Sequence, residues 1–345
     1  MQRTSRRTFL AGLSLGALAA FLAGPAAAED VDFSGQTITL VVGFGAGGGY
    51  DALGRLAADH LGRFLPGNPT VVVENMPGGG GRRALVYIAR VAPKDGTVIT
   101  IPPSNFAVDA LLEDTAAVVD PRDFGMIGRL AEARQLRITW ETSPTKTLAD
   151  ARERETTMAS EGPTSNTSTV LRVMNAYFGT RFRLIEGFSG TAEMALAMER
   201  GEVEGTLVSP QVAAMHADWF EEKKVNVLWQ EAADRGTAFP DYPALVEFAR
   251  NDQERALLNL VVSQGQVGKS LAAPPGVPDD VLAALRAGYE AMMKDPDFLA
   301  DAQKRKLDLL PASAGELAAV ITATLDSDPK AIAQLVEVVE AAAAQ

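Results

Sequence analysis

The feature that most constrains the fold is a pair of glycine-rich loops, each placed between a strand and a helix. An apolar strand, 37–42, runs into glycines at positions 43, 45 and 47–49 and then into a helix near Asp51. A second glycine run, 78–81, follows the next strand, 70–73. Helix N-termini carry unpaired N–H groups, and glycine lets a ligand approach that backbone closely. Together the two loops predict a site for a negatively charged group.

The alternation of strands and helices predicts two α/β lobes. The first series has strands 37–42, 70–73 and 97–101 and helices 51–65 and 82–91. A second series begins near Leu148, with strands 157–160, 183–186, 205–208 and 226–230 and helices 170–177, 191–200 and 210–222. Long helices follow at about 278–294 and, as a pair, beyond Ser313. Such βα series form mostly parallel sheets wrapped by helices.

The first 28 residues have the pattern of an export signal. Arg6 and Arg7 match a twin-arginine motif, an apolar run follows at 10–23, and the small residues 26–28 suit cleavage after about Ala28. A general secretory signal that happens to carry paired arginines is the alternative. We therefore expect a periplasmic protein.

Charge and cysteine content narrow the possible partners. The net charge is −12, and loss of the signal removes three arginines and no acid, which gives −15. This charge argues against nucleic acid and against an anionic membrane surface. The absence of cysteine excludes disulfides and thiol catalysis.

Residues 43–48 also match the dinucleotide-binding pattern G-x-G-x-x-G, and Glu74 stands where a ribose-binding acid would be expected. An exported nucleotide-dependent oxidoreductase is therefore an alternative function. The histidines, His60 and His216, have no metal-ligand partner at useful spacing, and each is expected to be structural. The chain offers no credible catalytic set, which favours binding over catalysis and predicts no cofactor and no metal.

Loops of the second series also lie between strands and helices and offer hydroxyls and amides near helix N-termini. Helix capping is the simpler explanation for any one of them, but parallel sheets bind ligands at the carboxyl ends of their strands. Beside the second glycine run, Arg82 and Arg83 face either solvent or a carboxylate. The candidate residues from this reasoning are Ser165, Asn166, Ser168, Ser189, Gly190, Thr191, Ser209, Arg82 and Arg83.

Seven segments are distinctive in combination: 41–51, 71–80, 91–97, 187–191, 201–205, 273–278 and 293–298. Together they resemble the periplasmic substrate-binding receptors of tripartite tricarboxylate transporters. The resemblance covers nearly the whole chain after the signal.

The resemblance implies a two-lobe, type II periplasmic binding fold that closes on a small organic carboxylate. It implies lobe 1 at 29–135 and 262–345 and lobe 2 at 136–261, and delivery of the ligand to a two-component membrane permease. A monomer is expected. The loops that grip the carboxylate would contribute Phe44, Gly45, Ala46, Gly47, Gly48, Asp51, Gly78, Gly79, Gly80 and Gly81, and Tyr50 and Ser104 complete the candidate set.

Three expectations follow for the site and its motion. Asp51 should anchor loop amides rather than touch an anion, because two carboxylates repel each other. Arg82 or Arg83 would recognise a distal carboxylate. Hinges are expected near 130–140 and 260–269, where the chain crosses between lobes. A signalling receptor with the same fold is a third possible function.

Overall fold

The computed structural model describes residues 31–112, 120–163, 165–236 and 239–343. The predicted export signal, residues 1–28, lies outside these ranges. Within them, no helix combines the length and the apolarity that crossing a bilayer would require.

The described strands form two sheets. The first has the order β11-β4-β10-β3-β1-β2 and the second the order β7-β6-β8-β5-β9. The strands are β1 (Thr37–Val42), β2 (Thr70–Asn75), β3 (Val98–Ile101), β4 (Gly125–Ala131), β5 (Gln135–Trp140), β6 (Thr156–Ser160), β7 (Phe182–Glu186), β8 (Gly205–Val208), β9 (Val225–Glu231), β10 (Lys269–Ala273) and β11 (Ala312–Ser313).

Helices cover the faces of both sheets. Short 3₁₀ turns occur at Gly62–Phe64, Gly79–Gly81, Pro121–Asp123 and Leu245–Phe248. The α-helices are α1 (Gly49–Leu61), α2 (Arg82–Arg90), α3 (Phe106–Asp109), α4 (Leu148–Glu153), α5 (Asn166–Phe178), α6 (Thr191–Glu199), α7 (Pro210–Met215), α8 (Ala217–Glu221), α9 (Asp252–Val267), α10 (Asp279–Met292), α11 (Pro296–Lys304), α12 (Ala314–Leu325) and α13 (Pro329–Ala343).

Most strands of each sheet run in one direction. In the first sheet β1 pairs in parallel with β2 and β3, and β10 runs antiparallel between β3 and β4. In the second sheet β6 pairs in parallel with β7 and β8, and β5 runs antiparallel between β8 and β9. Because helices cover both faces, the central strands β3, β8 and β10 are buried at every residue.

The sequence prediction of individual elements holds best where apolar periodicity is strong. Strands 37–42 and 205–208 have the bounds that were predicted. The helix predicted at 210–222 is instead two helices, α7 and α8, because His216 leaves the helical region with φ −109° and ψ 47°. Its ring stacks on Trp219 at a centroid distance of 4.2 Å.

The chain crosses between the two sheets at two neighbouring points. Only residues 132–134 separate β4 from β5, and only Gly268 separates α9 from β10. The Ala133 N–H donates a hydrogen bond of 2.9 Å to the carbonyl oxygen of Gly265, which joins the two crossings. Both crossings fall inside the stretches 130–140 and 260–269 expected to act as hinges, and the motion itself stays a prediction.

The last helix, α13, packs against α5 and α9. Its buried residues Ala331, Leu335 and Val338 share a core cluster with Trp229 of the second sheet. This packing differs from the assignment of the whole of 262–345 to lobe 1, because the apolar side of α13 is covered by helices associated with the second sheet. The lobe boundaries otherwise stay a prediction.

Two glycines directly follow the ends of helices, and replacing Gly268 should destabilise the protein more than replacing Gly179. It has φ 60° and ψ −144°, and an added Cβ would lie 2.3 Å from the Ala131 carbonyl oxygen. Gly179 at the end of α5 also has positive φ, but no atom lies within 4 Å of an added Cβ. We expect Gly268→Ala to lower the free energy of unfolding by roughly 2–5 kcal/mol and Gly179→Ala by about 1 kcal/mol, measured by urea denaturation. Equal losses would mean that the crossing tolerates a side chain.

Candidate functional site

A small cavity, partly open to solvent, lies between loops of the two sheets. The loops after β1, β2 and β3 line it from the first sheet, and the loops after β6 and β7 line it from the second. The lining residues are Phe44, Gly48, Gly49, Tyr50, Gly80, Ser104, Asn105, Gln135, Glu161, Ser165, Asn166, Thr167, Thr191 and Leu207. These loops follow the carboxyl ends of parallel strands, where α/β proteins bind ligands.

Three helix N-termini meet at this cavity. Gly48 and Gly49 lie at the start of α1, Asn166 starts α5, and Thr191 starts α6. The N-cap residues of α1 and α6 are glycines, so no side chain caps their N–H groups. Unpaired N–H groups and the positive ends of three helix dipoles favour a negative charge in the cavity.

The glycine loops of the first sheet touch the loops of the second. The Gly45 N–H donates a hydrogen bond of 2.9 Å to the Ser189 carbonyl oxygen. An added Cβ would lie 2.7 Å from Ser165 Cβ at Gly80 and 3.0 Å from Thr191 Oγ1 at Gly48. The glycines therefore allow an approach between the two sides of the cavity that larger residues would prevent.

Asp51 anchors the first glycine loop, as the sequence predicted. Its carboxylate accepts hydrogen bonds of 2.9 Å from the Gly47 N–H, from Arg55 Nε and from Asn75 Nδ2. Asn75 also donates to the Phe44 carbonyl oxygen at 3.0 Å. Burial opposes ionisation of Asp51, but the hydrogen bonds from Arg55, Gly47 and Asn75 outweigh it and lower its pKa. The loop is thus held by an ionised carboxylate that does not line the cavity.

The second glycine loop needs glycine for its backbone, since all four residues of 78–81 have positive φ. Arg82 then begins α2 and is partly buried. Burial raises the pKa of nearby Asp109 to about 7, against a hydrogen bond from Asn105 and the charge of Arg82. Arg83 is exposed. Neither arginine lines the cavity, and recognition of a distal carboxylate by either one stays a prediction.

Tyr50 forms an aromatic wall on the first-sheet side. Its ring stacks on Phe44 at 4.3 Å, and its hydroxyl oxygen accepts a hydrogen bond of 2.9 Å from the Ser104 N–H. Burial raises the pKa of Tyr50 to about 12. Lys269 Nζ lies 5.2 Å from the centre of the Tyr50 ring, is almost fully buried, and has no hydrogen-bond partner among the described residues. Burial lowers the pKa of Lys269 to about 8.

Glu161 carries the acidic group on the second-sheet side. It directly follows β6, and its Oε2 accepts a hydrogen bond from Thr167 Oγ1. Burial raises the pKa of Glu161, against the hydrogen bond from Thr167 and the charge of Arg137. Among the described residues that line the cavity, none is a lysine, an arginine or a histidine.

A buried polar network supports this side of the cavity. Arg137 pairs with Glu231, with Nε 3.2 Å from Oε1, and Asn166 Nδ2 donates to Glu231 Oε2 at 3.1 Å. Gln264 of α9 donates to Asn166 Oδ1. Burial raises the pKa of Glu231, against the charge of Arg137. The network connects the start of α5 to the helix that ends at the second crossing.

The structure brings part of the predicted set into the cavity wall. The candidates that line it are Phe44, Gly48, Tyr50, Gly80, Ser104, Ser165, Asn166 and Thr191. The remaining candidates lie in the same loops or nearby but outside the lining: Gly45, Ala46, Gly47, Asp51, Gly78, Gly79, Gly81, Arg82, Arg83, Ser168, Ser189, Gly190 and Ser209.

Several of these have structural contacts of their own. Ser209 caps α7 by accepting a hydrogen bond from the Val212 N–H at 3.2 Å, and Ser168 Oγ donates to the Gly162 carbonyl oxygen at 2.7 Å. His60, expected to be structural, has its Nε2 3.0 Å from Asp301 Oδ2. No group of acids and histidines within the described ranges could hold a metal ion.

The candidate set lacked Gly49, Asn105, Gln135, Glu161, Thr167 and Leu207, all of which line the cavity, although Gly49 belongs to the glycine run that predicted the site. The sequence did contain a signal for Glu161. An acid that directly follows a buried strand and precedes a hydroxyl-rich loop lies at the carboxyl edge of the sheet. Gln135 had none, because a polar residue at the start of a strand does not reveal which face of the sheet it occupies.

The family pattern described as the tripartite tricarboxylate transporter family receptor (TctC) matches residues 53–336. The chain is 27% identical over 303 residues to the UPF0065 protein in the gbd 5′ region of Cupriavidus necator, covering 85% of this chain and 86% of that protein.

Solved structures show the same fold. The structure of the periplasmic binding protein BugD superposes with a TM-score of 0.70 at 20% identity, and the match covers 90% of this chain and 99% of the BugD chain. MatC from Rhodopseudomonas palustris, solved with bound malate, has a TM-score of 0.66 at 22% identity, and the match covers 89% of this chain and 100% of the MatC chain. The predicted two-lobe periplasmic binding fold is confirmed.

Lys269 should make stability depend on pH above about 8. Its folded pKa lies below the ordinary value of 10.5, so between these values the unfolded chain binds the proton that the folded protein has released. The free energy of unfolding should therefore rise with pH across this window, by on the order of 3 kcal/mol. Lys269→Met should be more stable than the natural protein at pH 7 and should lack the rise.

Urea denaturation from pH 7 to 10.5 measures this effect, with Lys146→Met, at an exposed lysine, as the matched control. Parallel profiles for the natural protein and Lys269→Met would contradict the buried, unpartnered state of the ammonium group.

Proposed function

Because the chain belongs to the tripartite tricarboxylate transporter receptor family, we propose that it binds a small organic carboxylate between its lobes and delivers it to a membrane permease. The observation that carries the proposal is the meeting of three helix N-termini, from both sheets, at one cavity. Family members are solute-binding receptors, and this arrangement suits binding rather than catalysis.

The cavity has the donors that a carboxylate needs. The first turns of α1 and α6 begin after glycine N-caps, so their N–H groups face no capping side chain. A carboxylate there would accept several hydrogen bonds without a lysine or arginine in the wall. The hydroxyl group of Thr191 adds a further donor. The malate found in MatC, a neighbour with the same fold, supports a carboxylate as the ligand class.

Binding would couple the two sides of the cavity. A carboxylate held at the start of α1 on the first sheet and the start of α6 on the second would stabilise the closed arrangement more than an open one. The ligand can shift that equilibrium only by its difference in affinity for the two states. The crossings at 132–134 and Gly268 are the sites where we propose that the backbone rotates.

The remaining parts of the proposal concern location and partners. We propose export to the periplasm with cleavage after about Ala28, a monomeric receptor, and a two-component permease as the recipient of the ligand. The residues that would contact the ligand are those candidates that line the cavity. A signalling receptor would use the same binding step as a transport receptor. The two would differ only in the partner protein that recognises the closed state.

Gly48→Ala should weaken carboxylate binding through a contact across the cleft. Gly48 has φ −80° and ψ 173°, a conformation open to any residue, so the added methyl group strains no backbone. Its Cβ would lie 3.0 Å from Thr191 Oγ1. We expect about a tenfold loss of affinity, because overpacking of this kind costs roughly 1–3 kcal/mol.

The measurement is calorimetry with the tightest ligand from a thermal-shift panel of mono-, di- and tricarboxylates and amino acids. A ligand at 100 times its Kd stabilises the protein by about 2.7 kcal/mol, which such a screen detects. In a Thr191→Ala background the loss caused by Gly48→Ala should shrink, whereas Gly315→Ala on α12 should change nothing. A panel without any binding acid would refute the proposed function, and full affinity in Gly48→Ala would locate the ligand elsewhere.

A further inference from the structure

Glu161 gives the cavity a negative charge where a receptor for polycarboxylates would need a positive one. It lines the cavity between the end of β6 and the start of α5. No lysine, arginine or histidine accompanies it among the described lining residues. A ligand that presented a second carboxylate to this position would meet a like charge inside a partly enclosed space.

The charge of Arg137 offsets only part of the effect of burial on Glu161. Arg137 Nε is hydrogen-bonded to Glu231 and its Nη2 to the Thr167 carbonyl oxygen, whereas its Nη1 has no hydrogen-bond partner among the described residues. Glu231 itself adds a second negative charge near Glu161. The other buried cation, Lys269, lies against the ring of Tyr50. The side-chain hydrogen bond that Glu161 accepts comes from the neutral Thr167 hydroxyl.

Gln135 supplies a second, independent observation. This side chain lines the cavity and is 6% exposed. Its Oε1 atom has no hydrogen-bond partner among the described residues. Buried acceptors are normally paired, and an unpaired one is costly. Among the described residues, the wall therefore contains a carboxylate whose hydrogen bonds come from the Thr167 hydroxyl and its own backbone N–H, and an amide oxygen with no hydrogen bond. N–H donors from a ligand would add to the first and satisfy the second.

We propose that the ligand is an amino acid or a related zwitterion, whose ammonium group lies against Glu161 while its carboxylate lies at the N-termini of α1 and α6. The inference rests on the proposed function, since it names the class of acid bound at the same site. An ammonium group has three donors and one positive charge. It would neutralise Glu161 and could also reach Gln135, and the helix N-termini would still hold the opposite end of the molecule.

The first test compares matched acids on the natural protein at pH 7 by calorimetry. Three sets differ only in an amino, a hydroxyl or no substituent: aspartate, malate and succinate; alanine, lactate and propionate; 4-aminobutyrate, 4-hydroxybutyrate and butyrate. In at least one set the amino acid should bind about tenfold or more tightly than both analogues, as expected for a charged hydrogen bond.

The outcomes separate this inference from the function on which it rests. If in every set a plain acid binds at least as tightly as its amino counterpart, the carboxylate receptor is left intact and the proposal of a zwitterionic ligand is overturned. Dicarboxylate binding that weakens as pH rises would likewise overturn it, because a protonated Glu161 would then be donating to the second carboxylate. No binding by any acid of the full panel would refute both proposals.

The second test removes the charge of Glu161. Glu161→Gln should weaken binding of the preferred amino acid about tenfold or more and change binding of its hydroxyl analogue less than about twofold. Glu155→Gln, which removes an exposed acid outside the cavity, should leave both affinities unchanged. Thermal unfolding without ligand checks that each variant folds. If Glu161→Gln does not fold, the comparison of matched acids on the natural protein tests the proposal alone.

Equal losses for the amino acid and its hydroxyl analogue in Glu161→Gln would contradict the proposal. Such a result would assign Glu161 a role in the shape of the loop through Thr167 rather than in contact with the ligand.

Discussion

The carboxylate of Asp51 is the interaction on which the geometry of the cavity depends. It joins the Gly47 N–H, Arg55 and Asn75, and so fixes the first glycine loop to α1 and to the end of β2. Without it, a loop of consecutive glycines would have many accessible conformations. The contact of Gly45 with Ser189 and the start of α1 at the cavity both require that loop in one conformation.

The sequence was sufficient for the elements that bury apolar residues on a regular period. Strand 37–42 has the predicted bounds and buries Ile38, Leu40, Val41 and Val42, and α1 buries Leu53, Leu56, Ala57 and Leu61 on one face. It was insufficient where tertiary contacts decide. The break at His216 follows from a local backbone conformation and a stacked ring, and the position of α13 follows from which neighbouring helices cover its apolar side. Neither is encoded in the period of the residues.

The same division applies to the cavity. Glycine loops and hydroxyls at helix starts were visible in the sequence, because those residue types have a local reason to be there. The charge that a ligand would meet in the cavity was not visible in the sequence. Arg82 and Arg83 follow a glycine loop, yet α2 begins with them and they lie outside the lining, whereas Glu161 lies in it. Net charge and proximity along the chain do not determine which charged side chain reaches the cavity wall.

The hydrogen bond between the Gly45 N–H and the Ser189 carbonyl oxygen joins the two sides of the cavity through backbone atoms alone. Its strength does not depend on which side chains occupy the wall. Replacements at positions such as Glu161 or Gln135 can thus change which molecule fits without removing the contact that holds the two sides together. The fold separates the joining of the two sides of the cavity from the choice of its contents, so a new ligand preference can arise through a few side chains while this backbone contact stays the same.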